Sequence, residues 1–144
     1  MSPQDTFTDL LKTNHQSRTK ARQEVFDVLC AQSEPIGMRD LVTLSKGVDR
    51  ASVYRAVELF EQLGIVQRLY AGWKYKLELS DRFAAHHHHL TCLRCGKSGA
   101  ISEEDLERFI DTVAARHGFK ASAHQVEIQG ICRNCQAAEA RGIV

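Results

Sequence analysis

Apolar residues recur at helical spacing in the stretch RTKARQEVFDVLCA (18–31), where Ala21, Val25, Val28 and Leu29 share a face, predicting an amphipathic helix. The run Ser33-Glu34-Pro35-Ile36-Gly37 interrupts it. A short helix from Met38 to Ser45 follows, burying Leu41, Val42 and Met38, and Lys46-Gly47 ends it. Asp49 then caps a third helix in which Val53, Ala56, Val57 and Phe60 keep the same periodicity, with Gly64 as its stop. Residues 65–79, IVQRLYAGWKYKLEL, read as two short strands around Ala71-Gly72. Three helices followed by a hairpin is the order of a winged helix-turn-helix.

Beyond Ser80–Ala85, expected as a hinge, the pattern changes. His86 to Cys92 alternates as a strand does, and Ser102-Glu103-Glu104-Asp105 resembles a capping box. The helix behind it is expected to bury Leu106, Phe109, Ile110 and Val113 before Gly118. Phe119 to Ile131 alternates as a strand pair or one long strand. The expected fold is therefore α+β. A winged-helix domain at 1–79 leads through a hinge at 80–85 to a small α/β domain at 86–144.

Composition sharpens this picture in one respect. With 144 residues and 43% hydrophobic content, two domains are affordable, but each is small enough to need a staple. No apolar run approaches the roughly 18 residues of a membrane span. The N-terminus, MSPQDTFTDLL, lacks the pattern of a signal peptide. A cytosolic chain is expected, and in that compartment paired cysteines bind metal or do redox work. The net charge of +1 neither demands nor excludes a polyanionic partner. The acid-free run from Leu11 to Gln23 carries Lys12, Arg18, Lys20 and Arg22, which is also what a solvated helix face looks like.

The staple is legible as two knuckles, Cys92-Leu-Arg-Cys95-Gly and Cys132-Arg-Asn-Cys135. Two residues between thiolates let both sulfurs meet one ion, and two such pairs make the closed tetrahedral site of structural zinc. Two disulfides or two redox pairs are the alternatives. Cys30, beside the apolar face of the first predicted helix, reads as core. Directly before the first knuckle stand His86, His87, His88 and His89. On an extended segment His86 and His88 face one way and His87 and His89 the other, enough to nucleate two further metal sites. His124 and Glu107 are candidates to join the first pair, and Glu78 or Asp81 the second. Such nitrogen and oxygen donors suit Zn(2+), Fe(2+) or Mn(2+). Surface decoration is the plain alternative.

On the third helix, Arg50, Ser52, Tyr54, Arg55 and Glu58 occupy the face away from the core. Arginines and an aromatic in the first turns suit a major-groove reader, and Arg68, Lys74 and Lys76 on the hairpin could reach phosphates. A plain three-helix domain with surface arginines has the same appearance.

Three segments together resemble a known family. HHHHLTCLRCG is similar to the HHxHxxCxxCG signature of the ferric uptake regulator family, and RASVYRAVELFEQLGIV to its recognition-helix segment. HGFKASAHQVEIQGICRNC resembles its last strand and second knuckle, so with RTKARQEVFDVL the likeness runs from about Arg18 to Cys135. The resemblance implies a cytoplasmic homodimer that binds A/T-rich inverted repeats of double-stranded DNA when metal-loaded, and that usually represses metal-uptake genes. It also implies that the domain after the hinge is the dimerisation domain. Carried over by position, Cys92, Cys95, Cys132 and Cys135 match structural-zinc ligands, and His87 and His89 match two regulatory ligands. His86, His88, Glu107 and His124 match an additional site. Tyr54 and Arg55 match DNA-contacting positions, and Arg22 the arginine of the first helix.

The chain also departs from the patterns of the family it resembles. Pro35-Ile36-Gly37 stands where many iron sensors have a histidine. Gln67 stands where many zinc sensors have an acid, and the wing has no cysteine. Ala100 replaces the aspartate of peroxide sensors. Glu78 and Asp81 are therefore the candidates to complete the regulatory set. The dominance of imidazole tilts the reading to zinc over iron as the sensed metal, with a manganese- or peroxide-responsive member as the alternative. No enzyme is expected. The rivals are a small zinc hydrolase, for which Glu107 would be the base, and a metal buffer without DNA function.

Overall fold

The computed structural model describes residues 1–143 and divides into two compact units, Met1–Ala85 and a second that begins at His86. The first unit opens with a helix absent from the sequence reading, α1 (Pro3–Thr13). Ser2 and Asp5 close a reciprocal capping box there, with proline at the first helical position. Phe7 and Leu11, one turn apart, are fully buried, and the Phe7 ring stacks on Phe26 with centroids 3.9 Å apart. Leu10 packs partly buried beside them, so Phe7, Leu10 and Leu11 make a short apolar face that the sequence reading passed over.

The remaining elements of this unit are α2 (Lys20–Cys30), α3 (Met38–Leu44), α4 (Arg50–Gln62) and the antiparallel hairpin β1 (Val66–Ala71) and β2 (Lys74–Leu79). Val25, Phe26, Leu29, Leu41, Val53, Val57, Phe60, Ile65 and Leu77 close one core with Phe7 and Leu11. The break at Pro35–Gly37 is structural: Ile36 exchanges both backbone hydrogen bonds with Leu77, at 2.8 and 2.7 Å. That isolated bridge sets a third backbone segment against β2 of the wing hairpin. Gly64, at φ +65°, ends α4 where a side chain would strain the turn. Cys30 corrects its expectation, since it is exposed rather than in the core. The segment expected as a hinge is fastened to this unit as far as Phe83. The Ser80 hydroxyl donates to the Gly64 carbonyl at 2.7 Å, and the Phe83 ring lies 5.3 Å from Phe26.

The second unit holds a three-stranded sheet ordered β4 (Ser98–Ile101), β3 (His88–Cys92), β5 (Glu127–Gly130), antiparallel then parallel. Helix α5 (Glu104–Arg116) links β4 to β5, and α6 (Arg133–Ala140) follows the second knuckle. Three expectations are corrected here. Residues 119–131 give one short strand, Glu127–Gly130, because before it only the Val126 carbonyl reaches the sheet, accepting from the His89 N–H at 3.3 Å. The capping box does not form: Glu103 is the N-cap, with no side-chain bond, and the acids Glu104, Asp105 and Glu107 complement the helix N-terminus instead. Finally, α5 buries no residue completely, and Phe109 is 62% exposed. The buried residues of this unit, among those described, are His88, His89, Cys92 and Ser98.

Candidate metal centres and DNA-reading helix

The first knuckle closes at the end of β3, where the Gly96 N–H donates to the Cys92 carbonyl at 2.9 Å and Gly96 takes φ +75°. The second sits at the start of α6, with Cys132 as the N-cap residue. The parallel pairing of β3 with β5 sets Cys92 opposite Gly130 and so delivers one knuckle to the other. The four sulfurs lie within 4.8 Å of one another. Cys95 and Cys132 sulfurs are 3.8 Å apart, about the edge of a tetrahedron with zinc–sulfur bonds of about 2.3 Å, and far beyond a disulfide bond. The donor set therefore fits a thiophilic ion. Arg94, inside the first knuckle, is ion-paired with Glu139 on α6.

Backbone N–H groups of Cys132, Cys95 and Arg94 lower the Cys92 thiol to about 6. The neighbouring Cys132 sulfur, then burial and the other two sulfurs, push Cys135 up to about 12. Of the two, Cys92 is thus the thiol more readily ionised and Cys135 the one that holds its proton more firmly. Metal uptake by the stripped chain at pH 7.5 will release at least the Cys135 proton. Titration calorimetry in buffers of different ionisation enthalpy will show this as a buffer-dependent heat, and affinity will weaken as the pH falls.

The alternation of β3 divides the histidines as the sequence predicts. On one face His86 Nε2 is 3.0 Å from His124 Nε2, and His88 Nε2 is 2.8 Å from Glu107 Oε1. His124 Nε2 lies 2.9 Å from Glu107 Oε2. Burial works to raise the Glu107 carboxyl, but the His88 hydrogen bond and the facing imidazoles outweigh it and hold it below its usual value. Its hold on the imidazoles is thus complete above the ordinary carboxylate range and is lost as the pH falls through the depressed value. His88 is wholly buried, and its Nδ1 has no hydrogen-bond partner. Three imidazole nitrogens and one carboxylate converging at these distances fit a borderline divalent cation. On the other face the His87 and His89 rings lie 4.7 Å apart, and His89 is buried. Of the candidate acids, Glu78 lies on β2 and accepts from the Gln67 amide at 2.6 Å, and Asp81 is exposed in the turn after β2.

Helix α4 presents its charged face as expected, and the structure adds a network that spacing did not reveal. Asp49 accepts from the Ser52 N–H at 3.0 Å and the Ser52 hydroxyl at 2.7 Å. Those bonds keep its carboxyl below the usual range. The Ser52 hydroxyl in turn accepts from Arg55 at 3.0 Å. Ser52 thus orients Arg55, while the Arg50 guanidinium lies 5.4 Å from the Tyr54 ring centroid. Arg22 donates to the Ser17 carbonyl at 2.6 Å. Arg68 departs from expectation: Glu61 on α4 binds it through both carboxylate oxygens, and it lies 4.3 Å over the Tyr75 ring. It braces the wing rather than reaching outward.

The comparisons agree with this architecture. The family model described as "Ferric uptake regulator family" matches residues 12–129. The ferric uptake regulation protein of Bordetella parapertussis is 34% identical over 120 residues, covering 83% of this chain and 76% of that protein. The solved Vibrio cholerae ferric uptake regulator superposes with a TM-score of 0.71 at 29% identity, covering 85% of this chain and 96% of that one. The Helicobacter pylori ferric uptake regulator gives 0.79 at 22% identity, with 94% and 95% coverage. With the recognition helix, wing and thiolate cluster in place, the chain belongs to the ferric uptake regulator family of metal-responsive transcription regulators.

Proposed function

We propose that this protein is a cytoplasmic, homodimeric repressor that binds A/T-rich inverted repeats of double-stranded DNA when loaded with metal and so controls metal-uptake genes. One observation carries the reading. Among the described residues of the second unit, three of the four buried ones are metal-ligating types, two histidines and a cysteine, and His88 and Cys92 belong to convergent donor clusters. A domain that spends its interior this way is built around ions rather than hydrocarbon.

Cys92, Cys95, Cys132 and Cys135 would hold a structural Zn(2+), which supplies crosslinks and no chemistry. His86, His88, Glu107 and His124 would hold an additional ion. His87 and His89, with Glu78 or Asp81 completing the set, form the proposed regulatory site for Zn(2+), with Fe(2+) or Mn(2+) as the competing choices. Residues 1–79 form the proposed DNA-binding domain, in which Arg50, Tyr54 and Arg55 contact the major groove, Ser52 orients Arg55, and Arg22 meets the backbone. Residues 86–144 form the proposed dimerisation and metal-binding domain. The proposed hinge spans residues 80–85, with Ser80 and Phe83 anchored to the first unit. DNA binding is favoured to the extent that metal is held more tightly in the DNA-competent arrangement.

The test is a mobility-shift titration of an A/T-rich inverted-repeat duplex with zinc, ferrous iron or manganese added to protein that retains its thiolate-bound ion. Metal-dependent retardation is expected, strongest with zinc. Metal uptake without retardation at any metal would leave a buffer protein instead, and metal-dependent ester or amide hydrolysis would leave a hydrolase.

A further inference from the structure

The wing turns at Gly72 and Trp73, and the side chain of Trp73, the chain's single tryptophan, is 98% exposed. Tryptophan is among the most buried side chains on average, so full exposure at a hairpin tip calls for a partner. The arm beneath it is stiff. Six register pairs hold β1 to β2, Arg68 is tied to Glu61 at the base, and the Tyr70 and Tyr75 rings lie 6.0 Å apart below the tip. The charge next to the tip is basic: Lys74 adjoins Trp73, Lys76 follows on β2, and Val66 to Lys76 contains no acid. From Arg68 to Ala71, the end of β1, the strand rises about 10 Å, at roughly 3.3 Å per residue, and the Gly72–Trp73 turn lies beyond it.

We propose that Trp73 is a DNA-contacting residue of the wing, lying against the deoxyribose–phosphate edge of the duplex beside the groove that α4 reads. The proposal rests on the DNA-binding reading above. An indole offers an apolar face and a single donor, which match a sugar edge and a phosphate oxygen respectively, while Lys74 supplies charge next to it. Such a contact reads no base. It adds affinity and fixes the register of the reading head along the duplex. Because the side chain packs on nothing in its own unit, replacing it leaves the fold intact.

The test uses the tryptophan's own emission in the zinc-loaded full-length chain, titrated with an A/T-rich inverted-repeat duplex. Emission will change with the same midpoint as the mobility shift, and acrylamide quenching will fall in the complex. Trp73→Ala will weaken binding about tenfold, the scale of one aromatic–nucleotide contact, with zinc content and melting unchanged. Trp73→Phe will keep most of the affinity. If the duplex is retarded while emission and quenching stay constant and Trp73→Ala binds like wild type, the Trp73 contact is overturned and DNA binding stands. An emission change driven by protein concentration alone would assign the indole to a protein contact and equally overturn it. No retardation of the wild-type chain would take down both readings together.

Discussion

Cys132→Ser will unfold the second unit of this regulator and leave the first folded. The first unit has its own hydrocarbon core, with Phe7, Phe26, Phe60, Leu41 and Leu77 fully buried. Among its described residues the second has none: α5 buries nothing completely, and the buried positions of β3 are His88, His89 and Cys92. What joins its beginning to its end is the β3–β5 pairing and the sulfur cluster that the pairing delivers. Cys132 serves both, because its sulfur lies 3.8 Å from that of Cys95 and its N–H donates to the Cys92 sulfur at 3.3 Å. Structural zinc in small peptides contributes about 10–16 kcal/mol of apparent binding energy, more than a domain of this size has in reserve. Elemental analysis will show tightly held zinc falling from about one per chain toward zero. Hydrogen exchange will lose protection across β3, β4 and β5 while α2 and α4 keep theirs. Equal protection in wild type and variant would mean that the thiolate cluster is not what orders this unit.

His87→Ala/His89→Ala will separate regulation from folding. These side chains share the β3 face opposite the His86, His88, Glu107 and His124 cluster, so the thiolate site and that cluster keep all their donors. The variant will hold its thiolate-bound zinc and melt in the same two-unit pattern. It will lose the metal-induced gain in DNA affinity, which for allosteric coupling is about 5–150-fold. His124→Ala, on the other face, is the matched control and will keep most of that gain. Since His89 is buried, the comparison is valid only where zinc content and exchange protection match wild type. Full activation in a double variant that meets those criteria would remove His87 and His89 from the regulatory site.

Much of the chemistry was legible because it depends on local rules. The alternation of a strand is enough to divide four consecutive histidines between two faces, and the structure divides them that way. The spacing of each Cys-x-x-Cys pair let two sulfurs meet. Asp49 as the cap of α4 followed from residue type alone. The misses share a cause. Helix α1 is held by Phe7 stacking on Phe26, a contact between residues far apart in sequence that no periodicity encodes. Arg68 resembles a phosphate ligand until Glu61 and Tyr75 are seen around it. Cys30 looked like core because its helix is amphipathic, yet it stands beyond the edge of the buried stripe.

By itself, then, the sequence determined the identity of most elements from α2 to α5 and the donor types, because backbone periodicity and ligand chemistry act over a few residues, while α1 and α6 went unread. The tertiary structure decided which donors meet. A parallel strand pairing brings the two knuckles together, and α5 carries Glu107 to within 2.8 Å of His88. It also decided which charged groups are already engaged within the protein. Those outcomes depend on the packing of distant segments, where the free energy of closing a loop and burying its contacts is set by the whole unit.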